Sequence, residues 1–206
     1  MTNQNKLTAY RGKRHFDRTG EPRGEPAPAG DAPCFVVQIH DASTLHFDFR
    51  LEVDGVLKSW SVPKGPSADP QDKRLAMPTE DHPLEYREFE GVIAEGEYGA
   101  GTVIVWDEGS YRPLPGKKGR SRSFSEALER GHASFWLDGS KLHGGYALTR
   151  FRRGGPGERE AWLLVKESDE RAGRRGTPDA RRARSVRSGR TLSRVTQEEA
   201  GEQGSP

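Results

Sequence analysis

From Leu45 to Val53 the chain alternates without a break. Leu45, Phe47, Phe49, Leu51 and Val53 fall on one face, and His46, Asp48, Arg50 and Glu52 fall on the other. A period of two sends successive side chains to opposite faces of a pleated strand, so this stretch predicts a half-buried β-strand. Asp54-Gly55 follows, a pair suited to a two-residue hairpin turn, and VLKSWSVP returns as the partner strand. Before it, Cys34–His40 is a run of β-branched and aromatic residues and predicts another strand. Further strands are expected over Lys73–Thr79, Glu88–Ala94, Gly101–Asp107, Ala133–Leu137, Lys141–Phe151 and Ala161–Glu167, with a turn at Glu108-Gly109. One helix is expected after Ser123, where Glu126 completes a capping box, and Gly131 ends it. Trp60, Trp106, Trp136 and Trp162 fall within these strands and read as core. Short strands with Gly/Pro turns and no crossover helices predict a mainly β fold. The expected form is a small, closed or nearly closed antiparallel β-barrel with one or two short helices and disordered termini.

Composition limits this core to one. The chain has 206 residues, of which 32% are apolar, against roughly 45–50% (with Gly) in an average globular chain. Residues 34–169 are expected to hold the barrel. Residues 1–33 read as a flexible segment ending in a Pro/Gly/Ala-rich linker over 20–33. Residues 170–206 read as a disordered basic tail. From Arg171 to Pro206 there are nine arginines and four acids, a balance of +5, whereas the whole chain carries only +2, so residues 1–170 sum to −3. Such a tail suggests a polyanionic partner or a plain solubilising role. No window approaches the roughly 18 apolar residues of a membrane span, and MTNQNKLTAYRGKRHF has no signal-like apolar run. The single cysteine, Cys34, excludes an internal disulfide and a CxxC zinc site. A cytoplasmic monomer is the resulting expectation.

The polar face of the alternating strand changes the picture. His40, His46, Asp48 and Arg50 read H-x5-H-x-D-x-R. Residues two apart share a strand face, and the turn over Asp41–Thr44 can bring His40 back beside them. Two imidazoles and a carboxylate suit a divalent transition metal, Mn²⁺ or Zn²⁺, and an adjacent arginine supplies a planar fork for phosphate. A solvated polar strand face is the plain alternative. Lys64 in VPKGP, Arg74, and His82 in TEDHPLEY add cations and a titratable ring, each also readable as a solvated surface group. GVIAEGEYGAGTV (91–103) lacks phosphate-loop spacing and reads as a tight connection. Two other functions fit parts of this set. A non-haem Fe(II) oxygenase would use His46, Asp48 and a distal His132 or His143. An inactive nucleic-acid-binding module would recruit partners through the basic tail.

The runs FVVQIHDASTLHFDFRLEVDGVLKSWSVPKGPS, KRLAMPTEDHPLEYREFEGVIAEGEYGAGTVIVWDEG and KLHGGYALTR…AWLLVK, with the fragment YRGKRHFDRTGEP, resemble the 3′-phosphoesterase module of bacterial DNA ligase D. The resemblance implies a small β-barrel enzyme that trims 3′ ends. It removes a 3′-terminal ribonucleoside and then the 3′-phosphate, leaving a ligatable 3′-hydroxyl. It implies Mn²⁺ (or Co²⁺ or Zn²⁺) held by His40, His46 and Asp48, with Arg50 and His82 on the scissile phosphate. Lys64, Arg74, Glu80 and Tyr86 match other active-site positions, and Arg14 and Glu21 match positions near the site. His15 stands where that family usually has Asp. On this reading His82 protonates the leaving oxygen or donates a hydrogen bond, and Glu80 orients a ribose 2′-hydroxyl. The nearest string to a ligase K-x-D-G motif, Glu52-Val53-Asp54-Gly55, has Glu for the lysine. The expected partners are therefore primer–template nucleic acid and a separate ATP-dependent DNA ligase, with the module in its stand-alone form.

Overall fold

The computed structural model describes residues 6–24, 32–115, 123–155, 157–174, 176–177 and 179–203. Nine strands form: β1 (Cys34–Asp41), β2 (Leu45–Val53), β3 (Val56–Val62), β4 (Lys73–Pro78), β5 (Gly91–Ile93), β6 (Gly101–Pro113), β7 (His132–Gly139), β8 (His143–Arg152) and β9 (Ala161–Lys166). Three short helices accompany them: α1 (Thr8–Arg11), α2 (Phe124–Glu129) and α3 (Leu192–Gln203); Leu84–Glu88 is a 3₁₀ turn. Pairing runs β1-β2-β3-β4-β9-β8-β7-β6, and β6 pairs back to β1, so eight antiparallel strands close a barrel. β5 adds to the start of β6 through Val92↔Thr102. The alternating stretch forms β2 over the predicted residues, and its hairpin turn has Asp54 at φ 49° and Gly55 at φ 78°, the left-handed pair a two-residue turn requires. The capping box forms in both directions, with Ser123 and Glu126 exchanging bonds of 3.2 Å.

The odd-numbered side of β2 faces inward. Phe47, Phe49 and Leu51 join Phe35, Ile39, Phe135, Leu137, Leu148 and Leu164 in the barrel core. Trp60, Trp106 and Trp162 are buried in it. The even-numbered side faces outward, and a second apolar cluster of Tyr10, Val36, Leu57, Tyr86 and Val105 grows over part of it. This cluster gives the barrel's outer wall a dry patch beside His40, Asp48 and Arg50.

Two strand expectations differ from the structure. β6 does not turn at Glu108-Gly109 but continues to Pro113. Gly109 pairs with Phe35 on one side and Gly139 on the other. A Cβ there would sit 2.1 Å from the Asp138 carbonyl oxygen, so the glycine serves close strand approach rather than a turn. The predicted strand over Glu88–Ala94 shortens to β5, because Leu84–Glu88 coils to bury Tyr86.

The termini also fold back. Residues 6–24 pack on the outer wall, with Tyr10, Arg14 and Glu21 buried; the linker residues 25–31 lie outside the described set. At the other end, Ala180, Ala183, Leu192 and Val195 join the main core. Val186 donates its N–H to Val105 O (2.9 Å), while Glu90 takes the Val105 N–H (2.8 Å). The tail thus covers the β6 edge left open between β5 and β7. Arg187 pairs with Glu108 at 2.9 Å and Arg190 with Glu90 at 3.4 Å. Apolar residues flanking these ion pairs, Ala180 and Ala183 before them and Leu192 and Val195 after, supply the burial that orders a segment composition alone marks as unfoldable. Among the described residues no helix is long and apolar enough to cross a membrane.

Candidate active site

β1 and β2 set the site by register. His40 lies opposite His46, and Gln38 lies opposite Asp48. On the outer wall these side chains converge: ligand atoms of His40, His46 and Asp48 all lie within 4.8 Å of one another. His40 Nδ1 is 3.7 Å from Asp48 Oδ2, and His46 Nε2 is 3.6 Å from Asp48 Oδ1. Both rings are oriented from behind by main-chain carbonyls. His40 Nε2 donates to Gly99 O at 2.8 Å, and His46 Nδ1 donates to Thr44 O at 2.7 Å. A carbonyl only accepts, so each bond fixes the tautomer and leaves the inward nitrogen with a lone pair. Two neutral imidazole lone pairs and a carboxylate, each held by outer partners, fit a divalent transition metal. Close approach of β6 supports the Gly99 loop: Gly101 has φ 142°, and a Cβ there would lie 2.3 Å from Asp41 O.

Arg50 stands beside this group on the same strand face. Its Nη2 donates to Asp48 Oδ2 (3.0 Å), Nε to Gln38 Oε1 (2.8 Å) and Nη1 to Ser59 Oγ (2.8 Å). Burial disfavours the Asp48 charge, yet the Arg50 guanidinium overcomes it and holds its carboxyl well below the ordinary carboxylate range.

His82 sits across from Asp48 on the far side of the same guanidinium, its Nδ1 3.0 Å from Arg50 Nη1. His82 N–H and C=O bridge Leu57 of β3, which locks the loop to the sheet. Its Nδ1 lies 2.9 Å from Glu80 O, and its Nε2 lies 3.3 Å from Arg14 Nη2. Nε2 thus faces a donor, whereas Nδ1 faces both an acceptor, Glu80 O, and a donor, Arg50 Nη1. Burial first, then the Arg50 and Arg14 charges, push the His82 pKa well below its usual value. The ring is therefore held neutral, buried between the Arg50 and Arg14 guanidiniums.

Arg14 comes from the N-terminal segment and is gripped by two carboxylates, Glu21 at 2.8 Å and Glu80 at 3.1 Å. Its guanidinium lies 3.8 Å over the Tyr10 ring. Glu21 also accepts from Tyr86 Oη (3.0 Å), so Glu21 and Tyr86 brace the cluster. Glu80 also meets Lys13 (3.1 Å), and burial opposed by its own backbone, Lys13 and Arg14 leaves its pKa lowered. His15 points away, exposed and 2.9 Å from Glu97.

The structure thus gathers His40, His46, Asp48, Arg50, His82, Arg14, Glu21, Glu80 and Tyr86. Lys64 and Arg74 stand apart. Lys64 is exposed near the end of β3, and Arg74 pairs with Asp72 at 2.7 Å. The distal histidines of the oxygenase reading do not join: His132 bonds Thr149 and His143 pairs with Asp138. Sequence reasoning missed Gln38, Ser59 and the Gly99 carbonyl. Gln38 had a signal, since it is the one polar residue inside FVVQI and shares a face with His40.

A family model described as the DNA Ligase D 3′-phosphoesterase domain matches residues 38–150, more than half of the chain. The chain belongs to this family. It is 50% identical over 175 residues to the multifunctional non-homologous end joining protein LigD of Pseudomonas aeruginosa, covering 84% of this chain and 20% of that protein. It is 45% identical over 146 residues to the multifunctional non-homologous end joining DNA repair protein LigD of Mycobacterium tuberculosis, covering 70% of this chain and 18% of that one. The corresponding Mycolicibacterium smegmatis protein is 40% identical over 172 residues, 82% of this chain and 21% of the relative. The chain spans about a fifth of the length of these curated relatives. Family membership makes it a phosphoesterase-type domain of DNA end processing. The matched span contains the metal-type group, Arg50, Glu80, His82 and Tyr86, whereas Arg14 and Glu21 lie before it.

Proposed function

We propose that this protein is a divalent-metal-dependent 3′-end-processing phosphoesterase. It removes a 3′-terminal ribonucleoside by diester hydrolysis and a 3′-phosphate by monoester hydrolysis, and hands a 3′-hydroxyl to a DNA ligase during end joining. The observation that carries the proposal is the Arg50 guanidinium, 3.0 Å from Asp48 Oδ2 and 3.0 Å from His82 Nδ1. One buried cation spans the metal-type group and a neutral imidazole, which suits an anion held between them.

His40, His46 and Asp48 are the residues that would hold the cation, Mn²⁺ by preference. Bound there, it supplies a Lewis acid for a phosphoryl oxygen. Arg50 is preorganised by three acceptors and stabilises charge that grows on the other phosphoryl oxygens. Arg14 approaches from the opposite side and completes the clamp. His82, tethered by Glu80 O and by its backbone bonds to Leu57, contacts the scissile phosphate beside Arg50. Glu80, held by Arg14 and Lys13 beside Tyr98, receives a ribose 2′-hydroxyl. Glu21 and Tyr86 act by positioning Arg14, whereas Lys64 and Arg74 engage the substrate strand outside the buried cluster.

The test is a gel assay on a labelled primer–template whose primer ends in one ribonucleotide or in a 3′-phosphate, with EDTA or Mn²⁺. The expected result is metal-dependent conversion of the first primer to a 3′-phosphate and then to a 3′-hydroxyl. No conversion of either primer with any divalent metal would sink the proposal.

A further inference from the structure

The C-terminal arginines divide into two groups. Arg187 and Arg190 pair with Glu88, Glu108 and Glu90 outside the tail, and Arg190 and Arg194 pair with Glu198 within it. Residues 185–206 hold these three arginines and three acids, so their net charge is zero. Residues 171–184 hold six arginines and one acid, a net +5, and therefore carry the whole excess of the tail. Five of the six lie among the described residues, and all five are exposed: Arg171, Arg174, Arg181, Arg182 and Arg184.

Folding also fixes where that charge goes. Gly173 donates its N–H to Ala68 O at 2.9 Å, and Thr177 Oγ1 donates to Pro66 O at 2.6 Å. A Cβ on Gly65, next to Lys64, would lie 2.6 Å from Thr177 and 2.9 Å from Phe47. Further along, Arg181 reaches Asp41, the residue after His40, at 3.6 Å. The Arg184 carbonyl is held by Lys141 Nζ at 2.7 Å. The arm thus runs past the end of β3, beside the turn that joins His40 to His46. Its acidic contacts are weak: the Arg181 and Arg182 side chains remain 70% and 90% exposed in their pairs with Asp41 and Asp179, where water screens most of the attraction. Arg184 Nη1 donates to Gly189 O at 2.9 Å, yet its side chain too is exposed. Arginines anchored by their backbone, with exposed heads next to an anion site, suit a row of phosphates.

We propose that Arg174, Arg181, Arg182 and Arg184 form a phosphate-backbone track that holds the nucleic acid flanking the 3′ end in the site. The track rests on the end-processing reading, because that reading supplies the nucleic acid. Binding is sequence-independent and strongly salt-dependent, and it acts on substrate capture rather than on the chemical step.

The experiment measures binding of a fluorescent primer–template by anisotropy in EDTA, between 50 and 200 mM salt. The wild type is compared with Arg181→Gln/Arg182→Gln/Arg184→Gln. An equal-charge control, Arg130→Gln/Arg153→Gln/Arg159→Gln, alters exposed residues near the Arg152 end of β8. Three lost phosphate contacts lower the slope of log K against log salt by about 2.7, so the wild type loses roughly 40-fold more affinity than the arm variant across this fourfold salt range. With Mn²⁺ the arm variant shows a raised KM and an unchanged kcat. An unchanged slope in the arm variant, an equal loss in the control, or no binding by the wild type would each overturn the proposal. Binding is read without metal, so a protein that binds through the arm yet processes no ends refutes the end-processing reading and leaves the track standing.

Discussion

Gln38→Leu tests whether the site is built by the strand behind it. Gln38 is fully buried and makes three hydrogen bonds. Its Oε1 accepts from Arg50 Nε at 2.8 Å, and its Nε2 donates to Tyr86 O and Phe89 O, both at 3.0 Å. Leucine has a similar volume, so the loss is polar rather than steric. A hydrogen bond to a buried charge contributes about 1.5–3 kcal/mol, and a neutral one about 1 kcal/mol. The Tyr86 carbonyl keeps a second donor, Phe89 N at 3.1 Å, so only the Phe89 carbonyl is left wanting. The expected cost is therefore about 2.5–4 kcal/mol in urea unfolding, below the roughly 5–15 kcal/mol that keeps a domain folded. Arg50 retains Ser59 and Asp48, so it stays near its place but loses one of three tethers, and kcat falls by roughly tenfold or more. A Gln38→Leu protein that loses under about 0.5 kcal/mol and keeps wild-type kcat would refute the idea that Gln38 organises Arg50.

His82 is buried neutral with a depressed pKa, so above the unfolded value near 6.5 both states are unprotonated and it contributes no pH dependence. Below that value only the unfolded chain takes the proton, and stability falls; at pH 5.5 the loss reaches about 1.4 kcal/mol. Urea midpoints at pH 7.5 and 5.5 should converge in His82→Gln by that amount, and an equal pH dependence in both proteins would contradict the buried neutral ring. Leu192→Ala should destabilise the barrel by about 2–3 kcal/mol, since Leu192 is only 3% exposed; a free tail would give no change in thermal midpoint. Gly101→Ala should cost more than about 1 kcal/mol and weaken Mn²⁺ binding through the Gly99–His40 bond, as isothermal titration would report; unaltered affinity would show that the loop does not set the His40 ring.

Local periodicity made β2, its hairpin and the convergence of His46, Asp48 and Arg50 legible, because all three depend on neighbours a few residues apart. His40 needed only one turn more. Closure of the barrel followed from many short strands without crossover helices. Contacts across long separations were not legible from pattern. Arg14 reaches Glu80 and His82 over 66 and 68 residues, and only the family resemblance pointed to it. The tail misled because its docking acids lie far away: Glu108 is 79 residues from Arg187 and Glu90 is 100 from Arg190. Gly109 misled differently, since a glycine that admits a neighbouring backbone reads like one that makes a turn. The tautomers of His40 and His46 depend on which carbonyl stands behind each ring.

The central claim is that one divalent cation at His40, His46 and Asp48 enables the 3′-end chemistry. The most direct measurement follows bound Mn²⁺ by electron paramagnetic resonance and 3′-phosphate release in the same samples, as Mn²⁺ is added to metal-stripped wild type and Asp48→Asn. The account predicts that binding and activity rise together to a single tight site per chain in the wild type, and that both are lost in Asp48→Asn at the same Mn²⁺ concentrations. Full activity with excess EDTA, or undiminished Mn²⁺ binding in Asp48→Asn, would contradict it.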